Sequence, residues 1–185
     1  MTTFREIKKG WVIVMDGEPY EVIDRSFRAK QQREAMATVN MKNLFNGKVL
    51  EKNFQSSAPV EKANLEEAKA QFLYRDGDDY YFMDQDTYDQ FYFKKEQLKD
   101  AANYLKEEML VKIVRFEDKP IDVILPSEVS LKVVDSPPGV KGNTAQGGSK
   151  IVTLETGMKI SVPLHIKEGD NLVIKTKTGN FDRRE

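Results

Sequence analysis

Leu110-Val-Lys-Ile-Val-Arg-Phe116, the break Glu117-Asp-Lys-Pro120 and Ile121-Asp-Val-Ile-Leu125 decide the fold class. Both runs are largely apolar and rich in β-branched residues, and the break between them is polar and ends in proline. Two such runs on either side of a turn-prone break predict a β-hairpin. The same pattern recurs along the chain of 185 residues. Trp11-Val-Ile-Val-Met15 is broken by Asp16-Gly17 and leads into Tyr20-Glu-Val-Ile23. Ala35 to Phe54 alternates around Asn46-Gly47. Val129-Ser-Leu-Lys-Val-Val134, Lys159-Ile-Ser-Val162 and Asn171-Leu-Val-Ile-Lys175 supply further strands. Many short strands, frequent turn signals and little helix predict an all-β chain of small barrels. Three barrels of about 60 residues would fit the length, each with a thin core.

Two stretches are less direct. Residues 63–75, Ala-Asn-Leu-Glu-Glu-Ala-Lys-Ala-Gln-Phe-Leu-Tyr-Arg, favour helix by propensity alone. Phe72-Leu-Tyr74, followed by Asp76-Gly77 and Tyr80-Tyr-Phe-Met83, favours a hairpin over the same region. Between Gln97 and Met109, Leu98, Ala101, Ala102 and Leu105 stand at helical spacing and predict a short helix. Asp135 to Ser149 is too rich in Gly and Pro to be regular.

Composition closes off several function classes. There is no cysteine, which excludes disulfides, thiolate metal sites and cysteine nucleophiles. His165 is the single histidine, so a multi-histidine metal site is impossible within one chain. A lone histidine near a strand edge, in Val162-Pro-Leu-His-Ile166, is expected to be structural. Mean hydropathy is −0.58, and no run approaches the roughly 18 apolar residues needed to span a bilayer. The start, Met1-Thr-Thr-Phe-Arg5, lacks a hydrophobic targeting core, so the expected location is the cytoplasm and no membrane partner is expected. The total charge of −1 hides a division. Residues 1–63 carry 11 basic and 8 acidic groups, net +3; residues 64–126 carry 9 and 15, net −6; residues 127–185 carry 9 and 7, net +2. Basic ends suit contact with a polyanion, and an acidic middle does not.

Arg25-Ser-Phe-Arg-Ala-Lys-Gln-Gln-Arg33 sets four positive side chains in nine residues between two predicted hairpins, the pattern of an exposed basic tip. Asp76-Gly-Asp-Asp79 lacks the EF-hand pattern and is expected to be a hairpin turn rather than a metal site. Tyr80-Tyr-Phe82 and Phe91-Tyr-Phe93 are expected in the core of the acidic barrel, whose charge repels RNA. Gly142-Asn-Thr-Ala-Gln-Gly-Gly148 lacks the spacing of a phosphate-cradling loop.

The chain resembles bacterial elongation factor P over essentially its whole length. Asp16-Gly-Glu-Pro-Tyr20, Met41-Lys-Asn-Leu44, Gly47-Lys-Val49 and Leu73-Tyr-Arg-Asp-Gly-Asp-Asp-Tyr-Tyr-Phe-Met-Asp84 are similar to segments of that family. The best signature runs from Lys150 to Gly169, where Lys150, Gly157, Ile160, Val162, Pro163, Ile166 and Gly169 match and Val152 replaces the usual Ala. Pro138-Gly-Val-Lys-Gly142 adds to it. The resemblance implies three consecutive small β-barrels in an elongated, transfer-RNA-like arrangement: a KOW/SH3-like barrel over 1–63, then OB-fold barrels over 64–127 and 128–185. It also implies strand, against propensity, for 63–75.

The function implied is binding to the ribosome between the P and E sites and rescue of stalling at consecutive prolines. The implied partners are the 50S and 30S subunits, the P-site peptidyl-tRNA and messenger RNA near the E site, for a monomer without cofactor or metal. The ribosome performs the bond chemistry, so no catalytic residue and no enzyme activity are expected. The family's working loop, usually Pro-Gly-Lys-Gly-x-Ala or a Ser-Gly-Arg variant, resembles Lys30-Gln-Gln-Arg-Glu-Ala35 here. Counting back from Ala35 without a gap puts Gln32 at the tip, between Gln31 and Arg33. A shifted register would put Lys30 or Arg33 there. The segment has no proline or glycine, and lysine-directed modification at position 32 is chemically impossible. Gln32 has a neutral amide with two donors and one carbonyl acceptor for the CCA end. Further transfer-RNA or ribosomal-RNA contacts implied are Arg28, Gly142, Asn143 (where the family usually has Asp), Thr144, Arg183 and Arg184. The alternative is a paralogue, or a generic OB-fold RNA-binding module, without polyproline rescue.

Overall fold

The structure, a computed structural model, describes residues 2–28, 35–138 and 148–185. It is all-β, with three five-stranded antiparallel sheets following one another along the chain. The first contains β1 (Val12–Met15), β2 (Glu18–Arg28), β3 (Met36–Asn43), β4 (Val49–Gln55) and β5 (Glu61–Lys62), in the order β4-β3-β2-β1-β5. Asp16 and Gly17 both take positive φ, 54° and 77°, the geometry that turns a two-residue hairpin with the twist of its strands. Asn43 organises the next turn. Its buried side-chain carbonyl accepts from the N–H groups of Phe45 and Asn46 at 2.8 and 3.1 Å, and its amide donates to Glu18 at 2.5 Å. Ile13, Val22, Val39 and Met41 fill the core beneath. Phe4 lies on Phe54 at a centroid distance of 3.8 Å.

The second sheet holds β6 (Glu66–Asp76), β7 (Asp79–Asp84), β8 (Gln90–Lys94), β9 (Leu110–Phe116) and β10 (Lys119–Ile124), in the order β10-β9-β6-β7-β8. The ambiguous stretch is strand: Ala70 and Phe72 are buried while Lys69 is exposed, so packing overrides helix propensity. The hairpin at 110–125 is present, with a shorter turn than the break suggests. Glu117 and Asp118 alone make it, at φ 47° and 64°. Pro120 stands in β10, an edge strand, where its missing N–H costs least. The expected helix is displaced: α1 spans Lys95–Leu98 and continues as a 3-10 turn over Lys99–Asn103. It cannot reach Met109, because the Phe72 N–H donates to the Met109 carbonyl and the Glu108 N–H to the Phe72 carbonyl, which draws 108–109 alongside β6.

The third sheet holds β11 (Glu128–Asp135), β12 (Ser149–Leu154), β13 (Lys159–Pro163), β14 (Asn171–Lys175) and β15 (Asn180–Arg184), in the order β13-β12-β11-β14-β15. Leu131, Leu154, Ile166, Leu172 and Ile174 are fully buried within it. Packing divides the chain into two compact units, Met1–Glu67 with Val114–Asp122, and Ala68–Ile113 with Val123–Glu185. In the first, Phe116 and Ile121 bury with Ala63 against Val12, Val14 and Phe45. In the second, Tyr104 is buried among the side chains of the third sheet, and that burial pushes its phenol pKa up.

Candidate nucleic-acid interface

β2 and β3 form a long hairpin, the stalk, whose inner face is buried as far as Ala37. Their register pairs Tyr20 with Asn43 at the root and Arg28 with Met36 at the far end, with a bulge between Val22 and Asp24. Val22, Val39 and Met41 are buried towards the root, and Ala37, opposite Phe27, is buried one pair short of the far end. Towards the far end Asp24, Ser26, Phe27 and Arg28 are all exposed, Phe27 on the opposite face from Ser26 and Arg28. The Arg25 guanidinium donates to the Arg5 carbonyl at 2.6 Å and stands 4.9 Å from the Phe27 ring centroid. β4 braces the stalk from its other side. Met36 pairs with Gln55, the Thr38 hydroxyl donates to the Asn53 side-chain oxygen at 2.6 Å, and the Ser56 N–H donates to the Ala35 carbonyl at 2.9 Å.

Among the expected RNA-contact residues, Arg28 is at the end of the stalk and exposed. Lys30, Gln31, Gln32 and Arg33 lie outside the described residues, as do Gly142, Asn143 and Thr144. Phe27 and Met36, 43% and 38% exposed, flank the base of the loop. The available signal in the sequence was an apolar residue inside the basic run, Phe27, and another just beyond it, Met36.

Arg183 and Arg184 lie on β15, and both meet carboxylates. Arg183 bridges Glu128 at 3.0 Å and Asp182 at 2.6 Å, and Arg184 stands 3.7 Å from Asp170. Lys175 adds a contact to Asp182 at 2.8 Å. Hydrogen bonds from Lys175 and Arg183 hold the Asp182 carboxyl below the usual carboxylate range. The bond to Glu128, then that to Asp182, raises the Arg183 pKa.

Asp76 and Asp79 close the β6–β7 turn as paired residues around Gly77, which has φ 58°, so the hairpin reading of this acidic run stands. Among the described residues no cluster of His, Asp and Glu side chains is placed to hold a metal ion, and no helix is long and apolar enough to cross a membrane. His165 is exposed beside Leu164 and Pro163. The expected all-core aromatic group needs correcting. Tyr80, Phe82 and Phe93 are buried, but Tyr81 and Tyr92 point to the other face of the sheet, as alternation along β7 and β8 requires.

Residues 3–60 match the elongation factor P KOW-like domain, residues 65–123 the elongation factor P OB domain and residues 129–184 the elongation factor P C-terminal domain. Elongation factor P of Carboxydothermus hydrogenoformans is 44% identical over 184 residues, covering 100% of both chains. That of Thermodesulfovibrio yellowstonii is 42% identical over 181 residues, covering 98% of this chain and 97% of its own. Among solved structures, eukaryotic translation initiation factor 5A from Methanococcus jannaschii superposes with a TM-score of 0.51 at 21% identity, over 64% of this chain and 88% of that one. That likeness concerns the fold. The consecutive KOW-like and OB domains and the end-to-end identity with these relatives make the chain a member of the elongation factor P family of translation elongation factors.

Proposed function

We propose that the protein binds the ribosome between the P and E sites and speeds peptide-bond formation at consecutive prolines by bracing the CCA end of the P-site peptidyl-tRNA. The observation that supports this most directly is the stalk register. Arg28 pairs with Met36, so seven residues join them and Gln32 is the middle one. Proline restricts its own backbone and that of its neighbour, so a polyproline peptidyl-tRNA samples geometries that do not react. A loop fixed on a braced β-stalk raises the fraction of productive geometry. Effects of this class reach about 7–11 kcal/mol at their limit. Gln31, Gln32, Arg33 and Lys30 form the contact with the CCA end. Arg28, Gly142, Asn143, Thr144, Arg183 and Arg184 contact RNA, with Gly142, Asn143 and Thr144 near the E-site codon. The protein positions and the ribosome catalyses, so no acid–base chemistry is asked of this chain.

The test is translation of a triple-proline reporter in an extract lacking its endogenous factor. The wild-type protein restores full-length product, and Gln32→Ala lowers the rate about three- to tenfold, the worth of one buried hydrogen-bonding amide. No restoration by the wild type defeats the proposal. Full rescue by the variant removes Gln32 from the tip. A second possibility, a ribosome-binding paralogue without rescue, draws on the missing glycines at Gln31 and Arg33. It predicts ribosome binding with no change in the reporter.

A further inference from the structure

Outside the stalk, the outer face of β6, β7 and β8 carries an ordered array that the family function does not use. Strand pairing sets its rows. Tyr74, Tyr81 and Tyr92 stand opposite one another across the three strands, and Asp76, Asp79 and Lys94 form the adjoining row. The rings of Tyr74 and Tyr81 are stacked, with centroids 4.8 Å apart and planes 18° apart; Tyr92 leans on Tyr81 at 5.7 Å. Tyr81 is thus enclosed on both sides, while Tyr74 and Tyr92 remain 44% and 52% exposed, each with an open ring face. Three tyrosines in register on a solvent face are more than solubility or the core requires. The core is already served by Tyr80, Phe82 and Phe93 on the opposite face.

The surroundings select the ligand. Lys94 pairs with Asp79 at 3.3 Å, which leaves Asp76 as a further carboxylate in the row. The segment 64–126 carries a net charge of −6. Burial, then the charge of Asp79, raises the Tyr81 phenol pKa, so the negative field reaches the ladder. A nucleic acid would gain base stacking here but would bring its phosphates towards carboxylates. An ammonium would satisfy a carboxylate and stack poorly. A guanidinium is planar, stacks on a ring face and bonds a carboxylate with the same group, so it alone uses both rows. The same hairpin already shows half of this geometry, with the Arg75 guanidinium 5.5 Å from the Tyr80 centroid.

We propose that the tyrosine ladder Tyr74–Tyr81–Tyr92 with Asp76 and Asp79 is a docking site for an arginine-bearing protein segment. This does not depend on the loop function proposed above. The test uses the full chain and a fluorescein-labelled Gly-Arg-Gly-Arg-Arg-Gly-Arg peptide, followed by anisotropy, with the all-lysine counterpart and a labelled oligouridine as competitors in class. The arginine peptide is expected to bind more tightly than the lysine peptide, by about two- to fivefold for the ring contribution. Tyr92→Ser and Tyr74→Ser should each weaken it by a similar factor, Tyr92→Phe should restore it, and Asp76→Asn should weaken both peptides. The tyrosines are exposed, so the variants are expected to keep the wild-type circular dichroism and melting curve. Equal binding of the two peptides, indifference to Tyr92→Ser, absence of peptide binding, or oligouridine binding lost in Tyr92→Ser would each overturn the proposal.

Discussion

Two pairs of arginines lie near opposite ends of this sequence, Arg25 and Arg28 on β2, Arg183 and Arg184 on β15. In the sequence they look alike, cations in basic thirds of the chain. Their settings differ. Arg25 takes neutral partners, a carbonyl at 2.6 Å and the Phe27 ring, so its charge still projects outward. Arg183 and Arg184 meet Glu128, Asp182 and Asp170, and Lys175 shares Asp182. A polyanion approaching β15 meets a nearly neutral network; approaching the stalk, it meets cations without that compensation. Formal charge is a property of composition, while the field a partner feels depends on which side chains fold next to one another.

The contrast requires a stiff stalk, and the largest expected effect tests that. Met41 is fully buried at the root of β3. Met41→Ala should cost about 2–5 kcal/mol, lost transfer energy plus an unfilled cavity. Trp11, the single tryptophan, belongs to the first unit and lies under the Lys62 ammonium at 4.7 Å, so its emission reports that unit during urea unfolding. A midpoint unchanged from wild type would mean the root does not hold the stalk. Arg183→Ala, on the exposed face of β15, should leave the same transition in place.

Ribosome affinity comes next. Arg28→Ala should weaken binding and lower the slope of log affinity against log salt by about one, the signature of one lost phosphate contact. Arg183→Ala should change that slope less, because its guanidinium is already matched by carboxylates. Equal slopes for the two variants would erase the distinction between the ends. Glu128→Gln sharpens it from the other side. It frees part of the Arg183 charge, and a gain in affinity of about twofold at low salt is expected, as for one partly screened surface charge. A loss would show that Glu128 orients Arg183 for its contact.

The sequence made the strands legible because their burial is one-sided. Val129 to Val133 alternates, and alternation fixes both existence and facing. Residues 63–75 were legible only through the resemblance, since Glu66 to Ala70 favours helix locally and the burial of Ala70 and Phe72 is decided by strands distant in sequence. The short helix was misplaced because backbone bonds from Glu108 and to Met109 pull its end into extended pairing, which side-chain spacing cannot show. The stalk's end was readable from Arg25 to Arg28, with Arg28 exposed there, while residues 29–34 lie outside the described residues. The neutralisation of Arg183 was not, since Glu128 is far away in sequence and reaches it only through the β11–β14–β15 order.

The smallest effect expected concerns pH. Asp182 has its pKa lowered by hydrogen bonds from Lys175 and then Arg183, while the pKa values of both cations are raised. A carboxyl whose folded-state pKa lies below its unfolded value, about 3.9 for Asp, stabilises the fold above that unfolded value. The contribution then disappears as pH falls through the folded value, because the native carboxyl finally takes up its proton. Lys175 and Arg183 stay charged across this window, so the carboxyl alone titrates. Wild type and Asp182→Asn should therefore differ in urea midpoint at pH 7 and converge as the pH is lowered below 3.9, the ordinary Asp value. Far-UV circular dichroism follows both. The gap should be small and should narrow further in salt, since these groups are exposed and screened. A gap that stays constant down to the acid limit would mean that Asp182 acts through its shape in β15 rather than its charge, and the neutral network on which the comparison of the two ends depends would lose its central carboxylate.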